Sequence, residues 1–553
     1  MKPIIYQLLP RLFTNTCDHC VPNGTIKQNG AGKMNDITLP VLKKLRDLGA
    51  THVWYTGVIR HANKTHYNGI PDCNPYIVKG NAGSPYAITD YYDINPDIAV
   101  KIKQRMHEFE QLVKRSHEAS LKVLIDFVPN HVARQYHSIT KPQGIEDLGE
   151  NDNKELTFSP TNNFYYMPGQ QFAPGIDLGQ GDSFYYEKPA MATGNDCFHP
   201  YPNINDWYET IKLNYGVDYA TGEKHFSPIP STWHKMLDIL LFWAEKGIDG
   251  FRCDMAHMVP VEFWDWAIPQ VKEKYPQLIF IAELYDTNIY LDYIYGGHFD
   301  YLYDKVSLYD TLRAVTCGNA SASTITGCWQ AVEGISDHML NFLENHDEQR
   351  IASPQFASDP FRALPALVIS ATISRTPFMI YQGQELGEPA LDAEGFSGQD
   401  GRTTIFDYWS VPTLRRWYNN GKCDTKKLTK PERELRRYYK KVLRLCNSEK
   451  AIAQGQFYDL MYANHDTMNC DKVYAYYRHL DGERLLIIAN FSDNDERIAL
   501  RTPQHALNIM HMAPGTYQAR ELLTAIETKV IINPLHPFEL TIPHYNAMIF
   551  KLI

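Results

Sequence analysis

Short apolar runs alternate with longer segments of helical periodicity along most of the chain. The runs are Ile4 to Phe13, His52 to Val58, Val123 to Val128, Ile248 to Asp254, Leu278 to Leu284, Phe299 to Tyr303, Met339 to Glu344 and Pro377 to Tyr381. Each has the length and texture of a buried strand. Between them, Ile102, Met106, Phe109 and Val113 share one helical face. Met236, Leu237, Leu240 and Trp243 share another, with Ser231 placed to cap that helix and Gly247 to end it. Thr429-Lys430-Pro431-Glu432 reads as a capping box with proline in the first turn, opening a helix to Leu445. Its run of Arg436, Arg437, Lys440 and Lys441 reads as a solvated face. Eight strands alternating with helices predict an α/β fold, a closed (β/α)8 TIM barrel.

Two departures from that rhythm predict further domains. The third and fourth runs lie about 120 residues apart, far more than one crossover helix needs. The excursion is rich in Asn, Gly, Pro and Tyr, and at this point of a barrel it overlies the C-terminal mouth, as a wall of any cleft there. From Ser448 the texture changes to alternating strands such as Val473 to Tyr477, Leu485 to Phe491 and Ala547 to Leu552. The expected organisation is a barrel of residues 1–132 and 228–447, an inserted domain of residues 133–227 after strand 3, and a C-terminal antiparallel β-sandwich of residues 448–553.

Composition narrows the partners. A hydrophobic content of 44% with 21% charged residues is that of globular domains, so no segment is expected to be disordered. A formal net charge of −10 opposes a nucleic-acid partner, which needs a basic face. No run of about 18 apolar residues suggests a membrane span. Ile4 to Phe13 contains Pro10 and Arg11 and no small-residue cleavage site, so it reads as a first strand rather than a signal peptide, and a cytoplasmic location is expected. The ten cysteines are scattered and read as reduced thiols; Cys17 and Cys20 form one C-x2-C without a second pair, and no metal is assigned to them.

Carboxylates collect at the tails of four runs: Asp126 to His131 in LIDFVPNH, Asp254 in GFRCDMAH, Glu283 in IFIAEL and Asp347 in FLENHD. Strands of a parallel barrel bring such tails to one mouth, so the four segments are candidates for one acidic site. On a strand, Arg252 and Asp254 face the same way, and a guanidinium beside a carboxylate favours the ionised form that a nucleophile requires. Glu283 sits between apolar Ile281 and Leu284, where desolvation favours the protonated form of a general acid. Retaining glycoside hydrolysis uses such a pair about 5 to 5.5 Å apart. Asp347 supplies a third carboxylate to stabilise positive charge.

The four segments, in this order, resemble the signature regions of the α-amylase superfamily, glycoside hydrolase family 13, and the resemblance covers the whole barrel. It implies Asp254 as nucleophile, Glu283 as acid/base and Asp347 as transition-state stabiliser. It further implies sugar contacts from Arg252, His131, His346 and Asp126, and an aromatic platform from Tyr86, although Ser84 stands where the family has histidine. Ala256-His257 replaces the family's Lys-His, so His257 keeps half of that motif. Asn130 matches a calcium ligand of the family; its partner aspartate aligns either with Asp177 or, better, with Lys212, whose ammonium would replace the ion. The implied activity is a retaining hydrolase of α-1,4-glucosidic bonds in maltodextrin, starch or glycogen. The alternatives are an α-glucan transglycosylase or isomerase of the same superfamily, or a non-catalytic carbohydrate-binding homologue. An oligo- or polysaccharide substrate, no organic cofactor and no calcium requirement are expected.

Overall fold

The computed structural model describes residues 1–553. Eight parallel strands close a barrel: β1 (Ile4–Leu8), β2 (His52–Tyr55), β3 (Lys122–Phe127), β4 (Gly250–Cys253), β5 (Ile279–Ala282), β6 (Tyr301–Tyr303), β7 (Met339–Phe342) and β8 (Phe378–Tyr381). Pairing of Ile4 with Phe378 closes the ring between β1 and β8. Alternate side chains fill the interior, among them Ile5, Trp54, Leu124, Ile281, Leu340 and Met379. The other set packs outward against the helices in the main core. This is the period-2 division that makes most of the strands apolar on both faces. Gly250 opens β4 because a Cβ there would stand 2.4 Å from the Ile279 carbonyl oxygen.

Several local expectations change. The first run is a strand only to Leu8; Pro10 begins a helical turn, Pro10–Phe13, since its ring fixes φ and removes a ladder donor. Helix Ser231–Glu245 is capped at Pro230, and Ser231 Oγ instead donates to the Thr161 carbonyl in the insert at 3.2 Å. Helix Lys430–Ser448 has the capping box and runs past Leu445. Its basic face is solvated only in part: Arg437 and Lys441 are exposed, while Arg436 and Lys440 are half-buried. Arg436 bonds buried Glu385 at 2.5 Å and lies over Trp417, Lys440 bonds Asp47 at 2.5 Å, and Lys441 donates to the Leu523 carbonyl at 2.6 Å. That helix is a strut between barrel and C-terminal module.

The excursion after β3 forms three short antiparallel pairs, the first joining His131–Ala133 to Thr210–Lys212. Its own apolar cluster is small, centred on Tyr165, Phe172, Tyr185 and Tyr208. Charge pairs supplement it: Arg134 with Glu187 at 2.7 Å and Lys79 with Glu209 at 3.0 Å, both largely buried, and buried Lys212 with the exposed Asp196 at 2.6 Å. No helix is long and apolar enough to cross a membrane.

The C-terminal module is a six-stranded antiparallel sheet with a separate two-stranded ladder, Glu496–Leu500 with Phe538–Ile542. It packs on the barrel helix Leu364–Thr372, all of whose residues are buried. Arg478, 2% exposed, fastens the junction by donating to the carbonyls of Ile373, Ala451, Ile452 and Gly455. Replacing it by alanine orphans those acceptors. R478A is expected to lose about 3 kcal/mol in urea unfolding, whereas a loss below about 1 kcal/mol would show that water takes over the guanidinium's role.

Candidate active site

The ladder of the barrel continues one residue beyond the strands and sets the site. Asp254 N–H donates to the Phe127 carbonyl at 2.9 Å, and Glu283 N–H to the Cys253 carbonyl at 3.1 Å. Asp254 and Glu283 therefore emerge side by side above β4 and β5. Within β4, Arg252 is in register with Asp126 of β3. Its guanidinium, 1% exposed, meets Asp254 Oδ1 at 2.6 Å, Glu283 Oε2 at 2.8 Å and Asp126 Oδ1 at 3.7 Å. The rings of Trp54, Tyr86 and Tyr303 surround it at 5.4, 5.4 and 5.7 Å.

A second group hangs from β7. Asn345 Oδ1 accepts the N–H groups of Asp347 and Glu348, and buried Glu344 pairs with Arg350 at 2.9 Å, so the Asn345–Arg350 turn is pinned at both ends. His346 Nε2 contacts the Tyr86 hydroxyl at 2.5 Å and Asp347 Oδ2 at 2.9 Å, while Gln7 reaches its Nδ1 at 2.8 Å. Tyr86 stacks on the His346 ring and donates to Asp126 Oδ1 at 3.3 Å; Trp54 Nε1 donates to the other oxygen at 3.0 Å. Ser84 Oγ accepts from the Tyr86 N–H at 3.2 Å, which commits it to shaping the loop.

These residues floor and flank a cavity of about 380 Å³. Tyr86, His131, Asp254, Glu283 and Asp347 line it directly. Arg252, Asp126 and His346 lie beneath, contacting the lining groups. His257 stands apart: its ring meets Tyr285 edge-on at 6.3 Å and is not part of the wall. The insert adds Trp207, Glu209 and Thr210, the loop after β2 adds Lys79, and the loop after β8 adds Ile405 and Phe406. These were missed because they have no sequence motif; only Tyr285, two residues beyond Glu283, carried a positional signal.

Electrostatics correct one expectation. Burial drives the Asp254 carboxyl well above its usual range; Arg252 pulls it back and the Glu283 charge adds to the rise. Burial also raises Asp126, against Arg252 and His346. At the rim Asp347, its side chain 44% exposed, is lowered: burial opposes ionisation but His346, Arg252 and Arg402 outweigh it. His131 is held down at about 3, by burial and then by Lys212, so it is a neutral ring at physiological pH.

The calcium position has different chemistry. Lys212, 1% exposed, pairs with His131 in the strand register and places its Nζ 2.7 Å from Asn130 Oδ1 and 2.6 Å from Oδ1 of the more exposed Asp196. An ammonium among these oxygens repels a divalent cation, so the residues present do not fit one. Asp177 lies elsewhere, exposed and accepting from the Gly179 N–H.

The profile of the alpha-amylase catalytic domain matches residues 7–174 and 228–405, the greater part of the chain. The chain belongs to this family of glycoside hydrolases, family 13. Alpha-amylase 3 of Dictyoglomus thermophilum is 21% identical over 81% of this chain and 82% of its own length. Trehalose-6-phosphate hydrolase of Bacillus subtilis is 21% identical over 100% of this chain and 98% of its own. The fold matches the structure of an alpha-amylase from Geobacillus thermoleovorans complexed with acarbose, with a TM-score of 0.64, 19% identity, and coverage of 100% and 98%.

Lys212→Met removes the cation while keeping the stem. It is expected to lower stability by about 1 kcal/mol, since buried Asn130 loses its donor while Asp196, its side chain 39% exposed, stays hydrated. An unchanged melting temperature would show that the pair is dispensable.

Proposed function

We propose that the protein is a retaining α-glucan hydrolase that cleaves α-1,4-glucosidic bonds in maltodextrin, starch or glycogen-type substrates. The observation that carries this is one guanidinium shared by two carboxylates. Arg252 holding both Asp254 and Glu283 supports the close spacing of a double-displacement mechanism, about 5 Å, over the roughly 6.5 to 9.5 Å of inversion. Asp254 attacks C1 while Glu283 passes a proton to the departing oxygen; Glu283 then accepts a proton from the incoming water. Asp347 steadies the cationic sugar, and Tyr86, His131, Asp126, Arg252 and His346 bind or shape the place where it sits. Acarbose in the Geobacillus thermoleovorans structure supports an oligosaccharide ligand. His257 acts outside this first sugar, behind Tyr285.

D254N and E283Q are expected to fold and to lose turnover by about 10² to 10⁴ or more, because charge is removed at constant shape. Proton NMR of early maltoheptaose products is expected to show the α-anomer. A β-anomer, or near-normal turnover by either variant, would overturn these roles. Products longer than maltoheptaose would instead favour transfer to a sugar hydroxyl.

The buried Lys212 ammonium supports activity without calcium. After exhaustive chelation, activity and melting temperature are expected to stay unchanged, and restoration of a lost activity by calcium would refute this.

A further inference from the structure

We infer that Tyr285 is a gate on the leaving-group side, its hydroxyl occupying the place on Glu283 that the glycosidic oxygen must take. The inference rests on Glu283 as acid/base. The two carboxylate oxygens of Glu283 are unequal. Oε2 accepts the Met255 N–H at 2.8 Å and faces Arg252 Nη2 at 2.8 Å. Two groups that only donate converge there, so Oε2 has no room for a proton. The proton that acid catalysis needs belongs on Oε1.

Backbone conformation enforces this asymmetry. Met255 follows Asp254 with φ 42° and ψ 47°, left-handed values that a side-chain-bearing residue adopts at a cost. That turn presents the Met255 N–H to Glu283. Oε1 meets only the Tyr285 hydroxyl, at 2.5 Å. A phenol both donates and accepts, so it suits Oε1 whether that oxygen is ionised or protonated. It therefore stands where the leaving oxygen has to accept a proton, and where a water or sugar hydroxyl later has to give one up.

Tyr285 is built to yield that place. It lines the cavity and is only partly buried, and Asp286, Thr287 and Asn288 after it are exposed. Its ring has an edge contact with His257. When a glucan enters, the glycosidic oxygen displaces the hydroxyl from Oε1 and the ring turns to lie against the sugar beyond the scissile bond. Glu283 Oε1–H then protonates that oxygen as C1 bonds to Asp254 and the C1–O bond breaks. An aromatic face on that side suits an acceptor sugar, and it makes Tyr285 a determinant of the balance between water and sugar as acceptor.

The direct test is a crystal structure of the protein soaked with acarbose. The Tyr285 hydroxyl is expected beyond about 3.5 Å from Glu283, outside hydrogen-bond range, with its ring against the inhibitor. An intact Tyr285–Glu283 bond with acarbose across the site would overturn the gate. In maltoheptaose assays, Y285F is expected to keep kcat within about twofold and to raise kcat/KM several-fold, because nothing competes for Oε1. Y285A is expected to raise KM about tenfold and to reduce transfer products, because the ring is lost. A tenfold fall in kcat for Y285F at constant KM would make the hydroxyl a positioning group and refute the gate. E283Q separates the two failures: its near-normal turnover would sink the acid/base reading, whereas an inactive E283Q with an unmoved Tyr285 would sink the gate alone.

Discussion

The site depends on one buried cation. Arg252 meets Asp254 and Glu283 at bonding distance and Asp126 at 3.7 Å, at the end of a barrel whose strands leave it almost no water. Three carboxylates cannot gather in such a place alone, since each loses several kcal/mol of solvation and repels the others. The guanidinium makes the cluster possible, and its fork holds two acids in fixed relation. Trp54, Tyr86 and Tyr303 then offer it the negative faces of their rings. The register of β3, β4 and β5 is the means by which the sequence delivers these groups to one point.

The same device recurs outside the barrel. The insert has a small apolar cluster and is stitched by Arg134–Glu187, Lys79–Glu209 and Lys212 with Asn130 and Asp196. A segment rich in Asn, Gly and Pro cannot offset its chain entropy by apolar burial alone. Directed polar contacts in a low-dielectric wall supply the remaining specificity, and Lys79 and Glu209 do so while facing the cavity.

Much of this was legible in the chain because strand period and strand end are local properties. The eight apolar runs mark the barrel, and the acidic tails mark its mouth, so Asp126, Asp254, Glu283 and Asp347 could be found from their position alone. Burial was harder to read. Arg252 beside Asp254 suggested an ionised nucleophile, yet burial pushes the Asp254 carboxyl up against the pull of the guanidinium. Arg436 looked solvated because helical spacing shows which face a residue is on, but not what packs there. Lys79, Trp207 and Phe406 come from irregular loops, whose path is set by tertiary contacts and by no periodicity. His257, inferred from a neighbouring motif, lies behind Tyr285.

Helix Leu364–Thr372 has no polar side to give to water. One face lies on the barrel strands and the other under the C-terminal sheet. The barrel is thus not a cassette to which the sheet was appended, because cutting the module away would bare a continuous apolar stripe together with the Ile373 carbonyl that Arg478 serves. Such a stripe is an invitation to self-association. The catalytic barrel and its C-terminal module form a single unit of solubility, and engineering that treats the module as removable would trade an enzyme for an aggregate.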